Sequence, residues 1–134
     1  MMGCLLVAIL CNFLAVHAYR EVQGKIYNNE VANFSGYPKI KVVLVDVGLL
    51  YDTTCGETIA AVDGYFRIEC EPTGFRFNDN QKLKIYHRFS LGRCHVNSYR
   101  GTAISGKVED GNYDAVTGDE PASDDSVCPT DLYD

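Results

Sequence analysis

The chain has 134 residues and a formal net charge of −6, from twelve basic and eighteen acidic side chains. This length suits one domain of ordinary size and is too short for two. The charge is unevenly distributed: every Lys and Arg lies at or before Lys107, and half of the acidic residues lie from Glu109 onward. A mildly basic body therefore precedes an acidic end, which argues against nucleic acid as a partner.

The first eighteen residues form an uncharged, mostly apolar stretch. It ends in Val16-His17-Ala18, which is typical of a signal-peptidase site and predicts a secretory signal peptide over residues 1–18. A membrane anchor is the alternative, but the apolar run is shorter than the roughly 20 residues that a bilayer requires. We therefore expect a secreted, extracellular protein with one domain over residues 19–117 and an acidic, flexible tail over residues 118–134.

Apolar patterning along the rest of the chain predicts six to eight short strands and no convincing helix. Arg20–Tyr27 alternates between apolar and polar residues, whereas Lys39–Val47 is largely β-branched and predicts a central strand that is covered on both faces. Gln81–Phe89 alternates again, and weaker strands are predicted over His95–Ile104 and Asn112–Val116. This succession predicts an all-β fold, a two-sheet antiparallel β-sandwich.

Thr58–Glu69 carries the strongest local turn signal, because Asp63-Gly64 lies between two apolar runs. We expect a β-hairpin here, with its two strands paired to each other. The expected core face of this hairpin carries Ile59, Ala61, Phe66 and Ile68.

Six cysteines are present, of which Cys4 and Cys11 lie in the predicted signal peptide. An even set of four in an oxidising compartment indicates two disulfides, for which three connectivities exist. These four are Cys55, Cys70, Cys94 and Cys128. In the expected hairpin Cys55 lies diagonal to Cys70, which favours that pair and, by elimination, Cys94 with Cys128. A zinc site is the alternative, but there is no CxxC or HxxxH spacing, so we expect no metal and no cofactor.

The main candidate for a binding surface is a row of cations on the outward face of Gln81–Phe89, continued in the segments that follow. Its members are Lys82, Lys84, Tyr86, Arg88, Arg93 and Arg100. Side chains at every second position of a strand share one face. Cations near an anionic membrane contribute about 1 kcal/mol each, so the row predicts binding to phosphate or carboxylate groups. An ordinary solvated strand face, or one that pairs with the acidic tail, is the alternative.

Two further residues are singled out by their neighbours. His87 shares the inward face of the same strand with apolar side chains, so we interpret it as a structural residue. Asn33-Phe34-Ser35 is an N-glycosylation sequon in a polar linker, where it should be accessible.

Four stretches resemble the nematode transthyretin-like family: Val22–Lys25, Val42–Asp46, Asp63–Phe66 and, most specifically, Lys82–His87 followed by Cys94. The resemblance implies a secreted, transthyretin-like (prealbumin-like) β-sandwich with an extracellular binding role. Family members commonly carry a cysteine at the end of the first strand and another just after the histidine of the IYH string. This chain has neither, so the family does not imply a disulfide pairing for it.

The wider transthyretin superfamily includes a hydrolase of 5-hydroxyisourate that ends in Tyr-Arg-Gly-Ser. Tyr99-Arg100-Gly101-Thr102 looks similar, but the first strand offers no histidine to partner His87 or His95. We therefore expect a protein that is not an enzyme. Hydrolysis would require one of these histidines beside Arg100 in a shared cleft.

The function that we expect is that of a secreted adaptor for an anionic surface. That surface would be phospholipid headgroups such as phosphatidylserine, or an acidic cell-surface receptor. A carrier of a small apolar or hormone-like ligand, held between the sheets or at a homodimer interface, is the alternative.

Overall fold

A computed structural model of the chain describes residues 20–71, 80–89 and 92–134. The predicted signal peptide lies outside these residues. The described residues form eight strands and one short 3-10 helix, Asp125–Val127. The strands are β1 (Arg20–Tyr27), β2 (Lys41–Asp46), β3 (Thr53–Ile59), β4 (Tyr65–Cys70), β5 (Gln81–His87), β6 (His95–Arg100), β7 (Gly111–Asp114) and β8 (Glu120–Pro121). Over these ranges, no helix has the length and apolar character needed to span a bilayer.

The strands form two sheets, which confirms the predicted all-β sandwich. One sheet has the order β4-β1-β7 and the other the order β3-β2-β5-β6-β8. The pairing is antiparallel except between β1 and β7, which run parallel from the pairing of Gly24 with Gly111 onward. This parallel pair is an exception within the antiparallel sandwich, and it forms because the long connection after β6 brings β7 back alongside β1.

The core lies between the sheets and is built by the alternation that the sequence shows. One face of each of the strands β1, β2, β4 and β5 contributes side chains that are at most 2% exposed. These include Val22, Ile26, Val42, Leu44, Phe66, Ile68, Leu83 and Ile85. Burying a side chain of this kind contributes about 1.5–3 kcal/mol, so these layers are the main force that holds the sheets together.

The predicted hairpin is wrong: β3 pairs with β2 in one sheet, and β4 pairs with β1 in the other. A turn does form at Asp63-Gly64, shifted by one residue from the expected pairing: the Gly64 N–H donates to the carbonyl of Ala61 at 2.8 Å, and Gly64 has φ +94°. An Asp-Gly pair reports the turn, not the sheet that each flanking strand joins. Ile59 is therefore 44% exposed on the outside, while the neighbouring Ala60 faces the core.

Both predicted disulfides form, although the first arises from a different geometry. Cys55 and Cys70 have Cα atoms 5.6 Å apart and lie on edge strands of different sheets, so their bond ties the sheets together. Cys55 is left out of the pairing between β2 and β3 by a bulge opposite Leu44 and Val45, and this bulge frees it to face β4. The second bond joins Cys94 to Cys128.

The acidic segment 118–134 packs on the sandwich, in contrast to the solvated tail expected from its composition. Glu120 and Pro121 pair with β6, and Cys128 is bonded to Cys94. Tyr133 is buried in the core, where its hydroxyl donates to the carbonyl of Ala60 at 2.6 Å. Composition alone predicted a tail because charge dominates the segment, whereas one buried tyrosine and one disulfide are enough to anchor it.

Candidate anion-binding surface

The outer face of the five-stranded sheet, directed away from the core, carries most of the predicted site. Strand β5 places Lys82, Lys84 and Tyr86 there, while the alternate residues between them are buried. Antiparallel pairing sets Lys82 opposite Arg100 of β6, so these two cations are direct neighbours on one face. We call Lys82, Lys84 and Arg100 the basic cluster.

Two members of the basic cluster form no ion pair with any carboxylate of the described residues. The Lys82 ammonium forms an ion pair with Asp52 at 2.8 Å, and this bond holds the pKa of the Asp52 carboxyl below its usual range. Across residues 20–71, 80–89 and 92–134, no carboxylate lies within 4.0 Å of Lys84 or Arg100. The cluster therefore carries an excess of positive charge, which makes it suited to an external anion.

Apolar side chains lie between these cations. Val43 and Val45 of β2 are on the outer face, next to Lys84 and Lys82 in the register, yet each is only 6% exposed. Lysine stems lie along apolar surface while their ammonium groups stay in water, so the neighbouring lysines are placed to cover both valines. This packing restricts the lysine stems and keeps their charges at the surface.

A pocket of about 260 Å³ opens at the end of the sheet beside the basic cluster. Lys82 and Arg100 form part of its wall, together with Asn80, Gly101 and Thr102. Backbone hydrogen bonds shape it: Gly101 N–H donates to the carbonyl of Gln81 at 2.9 Å, and Gln81 N–H donates to that of Gly106 at 2.7 Å. A fixed pocket with two cations in its wall has the chemistry to hold a phosphate or carboxylate group.

Arg88, also predicted for this surface, is occupied by the C-terminal segment. Its guanidinium donates to the Asp125 carboxylate at 3.2 Å, to the Asp125 carbonyl at 2.8 Å and to the Gly92 carbonyl at 3.2 Å. Its side chain is 13% exposed. The Asp125 carboxyl also accepts from the Cys94 N–H and has a pKa below its usual range, because of that bond first and Arg88 second. Arg88 therefore fastens the acidic segment to the sheet.

The two remaining predicted members, Arg93 and Tyr86, both lie toward the end of the sheet where the acidic segment pairs with β6. Arg93 is exposed near Asp125, at the end that the acidic segment covers. Tyr86 lies between Lys41 and Val96 in the register, and partial burial raises its pKa. The acidic segment pairs with β6 at His95 and Val96, far from Arg100, so it leaves the basic cluster uncovered.

His87 is fully buried on the inner face of β5, and its structural role stays a prediction. Its Nδ1 accepts from the Phe89 N–H at 3.3 Å, so the proton resides on Nε2, which donates to Asn97 Oδ1 at 2.7 Å. Burial lowers the pKa of His87, against the opposing effects of Asn97 and Asp119. The His95 ring stacks on that of His87 at 6.1 Å.

The Tyr-Arg-Gly-Thr string does not form a shared cleft with the histidines. His95 begins β6 on the inner face, and Arg100 ends the same strand on the outer face. Five residues of strand separate their Cα atoms by about 17 Å. His95 and Arg100 therefore do not lie side by side in a shared cleft, as the hydrolase hypothesis would require.

The remaining sequence predictions concern the glycosylation sequon at Asn33 and a metal site. The Asn33 side chain is exposed, and its Oδ1 accepts from the Ser35 N–H at 3.0 Å. Over the described part of the chain, no three His, Cys, Asp or Glu residues are arranged to hold a metal ion.

Sequence reasoning missed the loop residues of the site. Asp52 and the pocket residues Asn80 and Thr102 follow or precede strands, where alternation carries no information. The predicted strand over His95–Ile104 is too long: β6 ends at Arg100, and the residues that follow it form a loop that lines the pocket.

No family model matches the chain, and no curated protein sequence does. A search of solved structures finds a 9R-lipoxygenase from Cyanothece PCC8801, with a TM-score of 0.47 and 13% sequence identity. The match covers 75% of this chain and 17% of the lipoxygenase chain, so the chain spans about a sixth of the length of that protein.

Proposed function

We propose that this chain is an extracellular binding protein whose basic cluster recognises an anionic phospholipid surface. The observation that supports it is the positive charge of Lys84 and Arg100, which no carboxylate of the described chain balances. Cations that stay hydrated at the surface attract anionic headgroups over about one Debye length.

Secretion belongs to the same proposal. The two disulfides are typical of domains that fold in the oxidising secretory pathway. A protein secreted by this route would reach the phospholipids on the outer surface of cells. The exposed Asn33 would be a glycosylation site in that compartment, away from the basic cluster.

The test is sedimentation of the purified protein with vesicles of phosphatidylcholine alone and with added phosphatidylserine, at low and physiological salt. We expect binding only to the anionic vesicles, falling as salt rises. The double variant Lys84→Glu with Arg100→Glu should weaken this binding about tenfold or more, since each cation contributes about 1 kcal/mol. These two residues are chosen because neither forms an ion pair with a carboxylate in residues 20–71, 80–89 or 92–134.

The matched control is Lys25→Glu with Lys39→Glu, which changes the net charge equally but lies away from the cluster. It should bind anionic vesicles nearly as the parent protein does. Equal binding to neutral vesicles, or an equal loss in both double variants, would contradict a site at the basic cluster.

A further inference from the structure

Four large apolar side chains project into solvent from two loops of the five-stranded sheet. Leu49, Leu50 and Tyr51 lie between β2 and β3, and Ile104 lies between β6 and β7. Leu50 is 94% exposed and Ile104 fully exposed. Single exposed apolar residues are normal, but a group of them on neighbouring loops marks an interaction surface.

The register places both loops at the same end of the sheet. β2 ends at Asp46, opposite Gln81 where β5 begins, and β6 ends at Arg100, opposite Lys82. The loops that follow β2 and β6 therefore leave the sheet side by side. Val47 from one loop and Ala103 from the other line the same pocket, which contains Lys82 and Arg100.

Hydrogen bonds hold each loop in a defined shape. Val47 N–H donates to the Asn80 carbonyl at 2.9 Å, and the Asp52 carboxylate is fixed by Lys82 at 2.8 Å. In the second loop, Gly106 N–H donates to the Thr102 carbonyl at 2.7 Å, and Gly106 has φ +73°, which suits glycine. Ile104 thus lies at the tip of a hydrogen-bonded loop, and its exposure is a consequence of the shape of that loop.

Charge distinguishes this end of the molecule from the other. Val62 and Leu132 are also exposed, but they lie at the opposite end, where Asp125 and Asp131 belong to the acidic segment. At the end with the two loops, the exposed apolar tips flank Arg100, for which the described residues provide no carboxylate within 4.0 Å. An anionic bilayer meets both requirements, because its headgroups are negative and its acyl region is apolar.

We propose that the two loops enter an anionic phospholipid bilayer together, with Leu50 and Ile104 reaching the acyl region and the pocket between them holding a lipid phosphate against Lys82 and Arg100. Tyr51 lies at headgroup depth, where aromatic side chains with a polar end are favoured. This inference rests on the proposed function and adds to it a depth, an orientation and a headgroup site.

The chain has no tryptophan, so a single introduced indole reports its own environment. Leu50→Trp and Ile104→Trp are each mixed with phosphatidylserine-containing vesicles whose acyl chains carry bromine. We expect a blue-shifted emission and strong quenching for both variants. Leu132→Trp, at the opposite end, is the control and should show neither change.

A second measurement separates insertion from surface binding. Leu50→Ala with Ile104→Ala should bind the anionic vesicles about tenfold more weakly or worse, whereas Val62→Ala with Leu132→Ala should bind as the parent does. Salt-sensitive binding with no quenching and no loss in the first pair would overturn insertion while leaving the proposed function in place. Absence of binding to anionic vesicles would overturn both.

Discussion

The imidazole of His87 lies in the interior with none of its surface exposed, between Asn97, the Phe89 backbone and the ring of His95. Its nearest carboxylate is that of Asp119, at 3.9 Å from Nε2. Burial lowers the pKa of His87 below its ordinary value of 6.5, so the folded protein resists protonation that the unfolded chain accepts. The contribution of His87 to stability is therefore complete above pH 6.5 and is lost as the pH falls below that value.

We predict that the free energy of unfolding decreases between pH 6.5 and 5.5, at no more than about 1.4 kcal/mol per pH unit from this group. Urea titrations at pH 7.5, 6.5 and 5.5 measure it. His87→Gln should be less stable at pH 7.5 but should depend less on pH in this window. Parallel curves for the two proteins would assign the pH dependence to other groups, since His95 and Asp119 are present in both.

At the level of elements, the disulfide between Cys55 and Cys70 joins the edge strands β3 and β4, which belong to different sheets. Its two cysteines are fifteen residues apart. Closing a loop of this length stabilises a fold by about 3 kcal/mol. We predict a loss of about that size for Cys55→Ala with Cys70→Ala, measured by denaturant unfolding with the Cys94 to Cys128 bond intact. An unchanged midpoint would mean that core packing alone holds these edges.

The strands themselves could be predicted to the extent that their pattern is local. Arg20–Tyr27 has the predicted bounds, and β5 begins at the predicted Gln81. Both predictions succeed because each segment's own sequence alternates between apolar and polar residues. The pairing of β3 with β2 could not be predicted from local alternation, because it depends on which strand edge is available in the folded sheet, and that edge comes from a segment elsewhere in the chain. The Cys55 bulge is of the same kind, because it arises from the fit between two strands.

Across the whole molecule, the candidate site was only partly predictable for a related reason. Alternation placed Lys82, Lys84 and Tyr86 on one outward face. Which cations stay unpaired depends on the course of the acidic segment, which occupies Arg88 and leaves Arg100 uncovered. The apolar loop tips carry no periodic signal, so their meeting at one end follows only from the register.

The C-terminal segment closes the end of the sandwich opposite the basic cluster, and Tyr133 is its anchor. The tyrosine hydroxyl accepts from the Ile40 N–H at 3.2 Å and donates to the Ala60 carbonyl at 2.6 Å, and both of these residues are at most 2% exposed. Removing the hydroxyl leaves two buried backbone groups unpaired, each of which costs about 1–3 kcal/mol.

We therefore predict that Tyr133→Phe lowers the free energy of unfolding by about 2 kcal/mol or more, although the ring still fills its place in the core. Leu132→Ala, at a neighbouring side chain that is 56% exposed, should change it by less than about 0.5 kcal/mol. Urea unfolding followed by circular dichroism measures both. If Tyr133→Phe is as stable as the parent, the two hydrogen bonds of the hydroxyl do not anchor the segment, and the ring, the backbone hydrogen bonds of Asp131 and Tyr133 and the bond between Cys94 and Cys128 hold it instead.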